Sequence, residues 1–163
     1  MTDTNNAPGQ TFDMSASMQR YYADRQRFEA LSASIRPANK KVLFDVLAAA
    51  DIAQVIVAFD GYGDSGQIED VSALSGGKNV DLHKGQISLS RASWGTDEVT
   101  EHSMTIEEAV EQLAYDFLAE THPGWENNDG AYCGEFTFDV KSRVITLDHN
   151  ERYTATESYE HTF

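Results

Sequence analysis

The period of the hydrophobic pattern changes near residue 52, and this change restricts the fold more than any other feature of the sequence. Before it, apolar residues recur at helical spacing; after it, short apolar runs alternate or end at glycine-rich turns. Residues 53–60, AQVIVAFD, are apolar on both faces, which is typical of a strand inside a sheet. A helical segment therefore precedes a strand-rich one.

The helical segment is predicted to form two helices that meet at Pro37. A proline disfavours the helical conformation at the preceding residue, Arg36, and suits the first turn of a new helix. The first helix begins near Asp13, and its stripe is expected to hold Met14, Met18, Tyr21, Phe28, Leu31 and Ile35. The second is expected to end near Asp51 and to bury Val42, Leu43, Val46 and Leu47.

A third helix over residues 105–121 has the clearest boundaries in the sequence. Thr105 as the N-cap and Glu108 three residues later make the capping box TIEE, and Pro123 marks the end. Strands are predicted at 53–60, 67–74, 86–93, 135–140 and 144–147. Strands in hairpins with interspersed helices indicate an α+β fold, in which the 105–121 helix covers one face of an antiparallel sheet of about five strands.

The chain is expected to form a single domain over residues 13–163, after a disordered arm at 1–12. The arm is polar, contains Pro8 and Gly9, and has almost no apolar residues. It has neither the basic nor the apolar region of a secretory signal, and no apolar run approaches the length of a membrane span. We therefore expect a cytoplasmic protein with no membrane partner.

Acidic residues outnumber basic ones, and they are concentrated in the second part of the chain. The chain has 27 acids against 12 Lys and Arg, a formal net charge of -15. Residues 46–163 account for -16 of this, and no Lys or Arg lies between Arg91 and Lys141. This balance excludes ordinary binding to a phosphate backbone, which needs a basic face. The acids are either a solvated coating or a negatively charged recognition surface.

The recognition interpretation assigns a partner-binding role to acids near the 105–121 helix. Closely spaced carboxylates can imitate the charge of a nucleic acid and be steered towards a basic cleft. The polar face of this helix lacks the Lys residues that usually pair with Glu at i+4. The predicted contact residues are Asp97, Glu98, Glu101, Glu107, Glu108, Glu111 and Glu120.

Three strings in the second part of the chain resemble an uncharacterised bacterial domain family that is associated with plasmids, phages and integrated mobile elements. They are DGYGDSGQIE, HPGWENNDGAYCGEFTFDV and ITLDHNERYTATESYEHTF. The resemblance covers roughly residues 53–163 and transfers no activity and no catalytic residue. It implies an accessory protein of mobile DNA, a setting in which interference with host defence is common.

Charge and resemblance together predict a non-enzymatic protein that occupies a basic nucleic-acid-binding surface of a host defence enzyme. Such a protein would act as an anti-restriction or anti-CRISPR-like inhibitor, without a cofactor and without binding nucleic acid itself. A small scaffold or immunity-like module is a second hypothesis, in which the acids are scattered evenly. The sequence leaves the oligomeric state open, with a homodimer among the alternatives.

A metal-dependent nuclease or phosphoesterase is the enzymatic alternative. Its ligands and base would be loop carboxylates and a histidine, namely Asp60, Asp64, Asp129, Asp148 and His149. The spacing matches neither an EF-hand nor a phosphate-binding loop. Cys133 has acidic neighbours, which oppose thiolate formation, so we expect a packing role for it.

Overall fold

The computed structural model describes residues 14–62, 65–82, 85–127, 132–153 and 155–163. It contains two long helices and seven strands over this part of the chain. They are α1 Met14–Ala49, β1 Gln54–Tyr62, β2 Ser65–Ser75, β3 Lys78–Val80, β4 Gln86–Ala92, β5 Val99–Thr105, α2 Ile106–Thr121, β6 Tyr132–Asp139 and β7 Val144–Glu151. A single 3-10 turn, Trp125–Asn127, precedes β6. The predicted arm at 1–12 lies outside the described residues.

The predicted α+β fold is confirmed. Five strands form an antiparallel sheet in the order β3-β2-β1-β6-β7, with β1 at the centre. The central position explains why residues 55–59, VIVAF, are apolar on both faces of the strand. The strand predicted at 86–93 forms as β4, but it pairs with β5 in a separate two-stranded sheet. The sequence analysis predicted neither β3 nor β5, because KNV and VTEHSMT have little apolar content.

The core lies between one face of the large sheet and α2. Val57 of β1 and Phe136 and Phe138 of β6 are buried on this face. The apolar face of α2 packs against it: Val110 and Leu113 are fully buried, and Phe117 is partly buried. Thr105 and Glu108 make the reciprocal capping-box bonds that begin α2. The Phe117 and Phe136 rings, with centroids 6.3 Å apart, join the helix to the sheet.

The prediction of two N-terminal helices is wrong, because α1 continues through Pro37. A proline removes one backbone donor, which leaves the carbonyl of Ala33 without its i+4 partner. Ala33 is exposed, so water can bond this carbonyl. Contacts on both sides of the proline keep the helix continuous: Arg36 pairs with Glu120, and the Asn39 side chain bonds the backbone of β4. Tertiary packing here outweighs the local preference.

The first part of α1 also departs from the prediction. Met14, Met18 and Tyr21 were expected in a buried stripe, but their exposed fractions are 71%, 47% and 50%. In the second part of the helix, Leu43 and Leu47 are buried as predicted, whereas Val42 is exposed. Only the second part of α1 therefore contributes to the core. Within the described residues, neither helix combines the length and the apolarity that crossing a membrane requires.

The other face of the large sheet carries several exposed acidic residues. Residues that are directly opposite on antiparallel strands share a face, so the register places Asp70, Ala58, Glu135 and Asp148 in one row across four strands. The three carboxylates in this row are exposed. We call this the outer face of the sheet. It is a second acidic surface, on the opposite side of the sheet from α2.

Candidate acidic interface and the groove between the helices

Six of the seven predicted contact residues lie on consecutive elements of the chain, and all of them except the half-buried Glu111 are exposed. The segment begins at the β4–β5 turn, runs along β5, and continues through Thr105 directly into the first two turns of α2. We call it the β5–α2 ridge, and its acids are Asp97, Glu98, Glu101, Glu107, Glu108 and Glu111. The seventh residue, Glu120, lies at the opposite end of α2, about 20 Å from Glu107 along the helix axis.

Glu108 has a structural role within the ridge. Its Oε2 accepts hydrogen bonds from the backbone N–H and the hydroxyl of Thr105, at 2.7 and 3.0 Å. The backbone bond and then the hydroxyl bond lower the pKa of Glu108. These bonds favour the ionised side chain, which also lies near the positive end of the helix dipole. Glu108 therefore stabilises the start of α2, whatever else the ridge does.

Glu111 lies one turn further along, where its charge is poorly compensated. Burial raises the pKa of Glu111, and the negative charges of Glu107 and Glu108 raise it further. The ion pairs found in the described part of the chain include none to these three glutamates. The start of α2 is therefore a cluster of like charges that forms no ion pair within the described residues.

The other predicted acids are partly committed to contacts within the chain. Asp97 pairs with Arg27 of α1 at 3.4 Å, and Glu101 accepts from the hydroxyl of Ser88 at 3.1 Å. Glu120 pairs with Arg36, whose guanidinium also lies over the ring of Phe117. Glu120 therefore helps to join α2 to α1 and does not belong to the ridge. The stretch without cations does not form one face, because Glu135 lies on the outer face of the sheet.

The candidate metal ligands are not brought together by the fold. Asp60 and Asp148 belong to the outer face of the sheet, whereas His149 pairs with Gly134 and lies on the opposite face. Asp60 is also held by Arg152, with two contacts of 2.9 and 3.1 Å. Asp64 and Asp129 lie outside the described residues. Among the described residues, no three His, Cys, Asp or Glu side chains are placed to hold a metal ion.

His149 instead takes part in a ring cluster that the sequence did not indicate. Its ring centroid lies 3.9 Å from that of His122, which in turn stacks on Tyr132 at 5.3 Å. Burial lowers the pKa of His122, the neighbouring His149 lowers it further, and Glu151 opposes both effects. The cluster therefore favours a neutral imidazole at His122.

A groove that the sequence did not predict lies between α1 and the end of α2. It has a volume of about 680 Å³. Its apolar lining includes Tyr21, Phe28, Trp94, Ala119, Pro123 and Trp125. The Trp94 ring lies 5.7 Å from Tyr21 and 5.4 Å from Phe28. Helical spacing placed Tyr21 and Phe28 on one stripe, and this was the only signal of the groove in the sequence.

A smaller polar cleft of about 240 Å³ adjoins the groove, where α1 meets β4 and α2. Its lining includes Arg36, Asn39, Arg91 and Asp116. Burial raises the pKa of Asp116, while a hydrogen bond from Gln112 and the charges of Arg36 and Arg91 act in the opposite direction. This acid from the cation-free stretch thus faces inwards and adds nothing to the exposed ridge.

Comparison with known proteins gives a family but no activity. No curated protein and no solved structure matches the chain. A family model, described as a family of unknown function (DUF6878), matches residues 35–163. The match begins within α1 and includes the ridge, the large sheet and the segment after β7. Because it spans most of the sequence, the chain belongs to this family of unknown function, DUF6878.

Proposed function

We propose that this protein is a non-enzymatic inhibitor that places its β5–α2 ridge on a basic nucleic-acid-binding surface of a host defence protein. The single observation that carries the proposal is the cluster of Glu107, Glu108 and Glu111 on the first two turns of α2, which has no ion-pair partner in the described chain. A basic partner would neutralise this repulsion. Association would then be fast and sensitive to salt.

The ridge suits this role better than the outer face of the sheet does. Its acids lie on consecutive elements, a turn, a strand and the start of a helix, and all of them except the half-buried Glu111 are exposed. On the outer face, Asp60 already pairs with Arg152. The proposal also includes the finer expectations from the sequence: a cytoplasmic protein of mobile DNA that acts against restriction or CRISPR enzymes. A metal-dependent hydrolase has less support, since His149 and the carboxylates of Asp60 and Asp148 lie on opposite faces.

Competition for DNA tests the proposal. A fluorescent duplex is bound to each of a panel of restriction endonucleases and CRISPR effector complexes from the host, and the protein is added. We expect displacement of the duplex from at least one of them, with an affinity that falls as salt rises. The combined variant Glu98→Gln, Glu107→Gln and Glu111→Gln should lose this displacement; Glu108 is kept because it caps α2.

The matched control removes three charges from the outer face of the sheet, as Asp70→Asn, Glu135→Gln and Asp148→Asn. It changes the net charge by the same amount and should displace the duplex as the wild type does. The proposal fails if the wild type displaces the duplex from no member of the panel. It also fails if the two triple variants lose the same amount of displacement, because net charge and not the ridge would then be responsible.

A further inference from the structure

The first part of α1 extends beyond the body of the domain. We call residues 14–34 the overhang; they precede the matched family region, which begins at residue 35. Positions that are 3, 4, 7 or 11 residues apart share one helix face, so the buried stripe of Asn39, Leu43 and Leu47 continues into the overhang. There it comprises Met14, Met18, Tyr21 and Phe28. The face that packs on the core in the second part of α1 is therefore exposed at Met14, Met18 and Tyr21 and half-buried at Phe28 in the first part.

The overhang is held against the domain by the β4–β5 turn. Trp94 contacts the rings of Tyr21 and Phe28, and Asp97 pairs with Arg27. These contacts keep the overhang in place as one wall of the groove, and Pro123 and Trp125 line the opposite wall. The groove is therefore a formed feature, and its lining combines these apolar residues with six charged ones, Arg25, Glu29, Arg36, Asp116, Glu120 and Glu126.

The uncovered apolar area is large for a monomer. The exposed fractions are 71% at Met14, 47% at Met18, 50% at Tyr21, 53% at Tyr22 and 49% at Trp94. Large side chains have areas of about 150–250 Å² each, so these five together expose roughly 500 Å². This area is near the upper end for a single apolar patch on a monomer. Together with the groove, the patch approaches the ~800 Å² that each partner buries in a standard interface.

The distribution of charge indicates a second copy of this chain as the occupant. Residues 46–163 carry a net charge of -16, so most contacts between two copies would bring strongly acidic surfaces together. The overhang is the exception: it holds Arg20, Arg25 and Arg27 against Asp24 and Glu29, a net of +1. Two overhangs can therefore approach each other without the repulsion that the remainder of the surface would cause.

We propose that the protein forms a two-fold symmetric dimer in which the overhang of each copy lies along the overhang and groove of the other. A two-fold arrangement uses the same patch on both copies. One contact would then cover both apolar stripes and both grooves. Glu107, Glu108 and Glu111 of the ridge do not line the groove, and the dimer does not depend on the proposed function.

Sedimentation velocity tests the dimer directly. We expect the wild type to sediment with twice the 18.1 kDa mass of one chain. The double variant Met18→Glu and Tyr22→Glu should sediment as a monomer, with circular dichroism showing that the helices are retained. The matched control, Val144→Glu with Thr146→Glu on exposed positions of β7, should remain dimeric. A monomeric wild type at about 100 µM, well above the micromolar Kd of weak standard-sized interfaces, overturns the proposal.

Intrinsic fluorescence provides a second measurement, because both tryptophans of the chain, Trp94 and Trp125, line the groove. Dilution of the wild type through its dissociation range should shift the emission to longer wavelength as Trp94 becomes exposed to water. The double variant should show the shifted emission at every concentration. A double variant that still forms dimers, or a control that becomes monomeric, would place the contact elsewhere and overturn the proposal.

Discussion

The indole of Trp125 lies against Gly66, so closely that a Cβ atom at position 66 would come within 2.6 Å of the ring carbon Cζ3. That Cβ would also lie 2.8 Å from Cα of Glu126, which cannot move without the backbone. Gly61 is paired directly opposite Gly66 in the β1–β2 hairpin. Two glycines therefore provide the flat surface on which the turn after α2 packs, and Trp125 is only 5% exposed there.

Substitution of this glycine should destabilise the fold. Gly66→Ala adds a methyl group where no space exists, and overpacking of this kind typically costs about 1–3 kcal/mol. We expect the free energy of unfolding, measured by urea denaturation, to fall by this amount. Thr146→Ala, on an exposed strand position, should change it by less than about 0.5 kcal/mol. Equal stability of the two variants would show that the turn moves away from the sheet easily.

The side chain of Asn39 should be important for joining α1 to β4. It accepts a hydrogen bond from the Ser90 N–H at 2.9 Å and donates one to the Ser90 carbonyl at 2.8 Å. Asn39→Ala leaves both backbone groups without these partners, at a cost of about 2–4 kcal/mol. Hydrogen exchange at the Ser90 amide should become faster as well. Asn79→Ala, on the exposed strand β3, is the control and should behave like the wild type.

Loss of charge should change the melting temperature in opposite directions at Glu108 and Glu111, which lie three residues apart on α2. The raised pKa of Glu111 means that the fold favours its neutral form, so Glu111→Gln should raise the melting temperature at pH 7. The lowered pKa of Glu108 means that the fold favours its charged form, so Glu108→Gln should lower it. Thermal denaturation of the two variants, side by side, checks both signs. Shifts of the same sign would contradict the local electrostatics described above.

The pair of His122 and His149 should make stability depend on pH in mildly acidic solution. Burial and His149 lower the pKa of His122 in the folded state below its ordinary value of 6.5. At a pH below 6.5, His122 therefore binds more protons in the unfolded chain than in the folded chain. The contribution of His122 to the free energy of unfolding is therefore complete above pH 6.5. It is lost as the pH falls towards the pKa of His122 in the folded state. Urea denaturation at pH 7.5 and at pH 5 measures the effect.

The variant His122→Gln isolates this contribution from that of the many carboxylates. It cannot take up the proton, so the difference in stability between pH 7.5 and pH 5 should be smaller than in the wild type. His149→Gln should retain more of the difference, because burial contributes more than the neighbouring charge. An unchanged difference in His122→Gln would show that other groups control the pH dependence.

Local sequence signals predicted those elements that depend on neighbouring residues. The capping box of Thr105 and Glu108 located α2, and the alternation around Phe136 and Phe138 located β6. The errors occurred where distant contacts decide the conformation. Pro37 does not end α1, because Arg36 and Asn39 are held by residues of α2 and β4. Similarly, β5 is polar and is a strand only because it pairs with β4.

The acids of the ridge could be named from the sequence, but their roles could not. The sequence by itself determined the two periodicities, the start of α2 and the excess of negative charge, since these depend on residue type and spacing. Only the tertiary structure decided that Glu120 faces Arg36, 84 positions away, while Glu107 and Glu111 form no ion pair with any residue that the structure describes. It also left the stripe of Met14 and Met18 uncovered. The physical reason is that charge and apolar area are local properties, whereas neutralisation and burial depend on which distant segments the fold brings together.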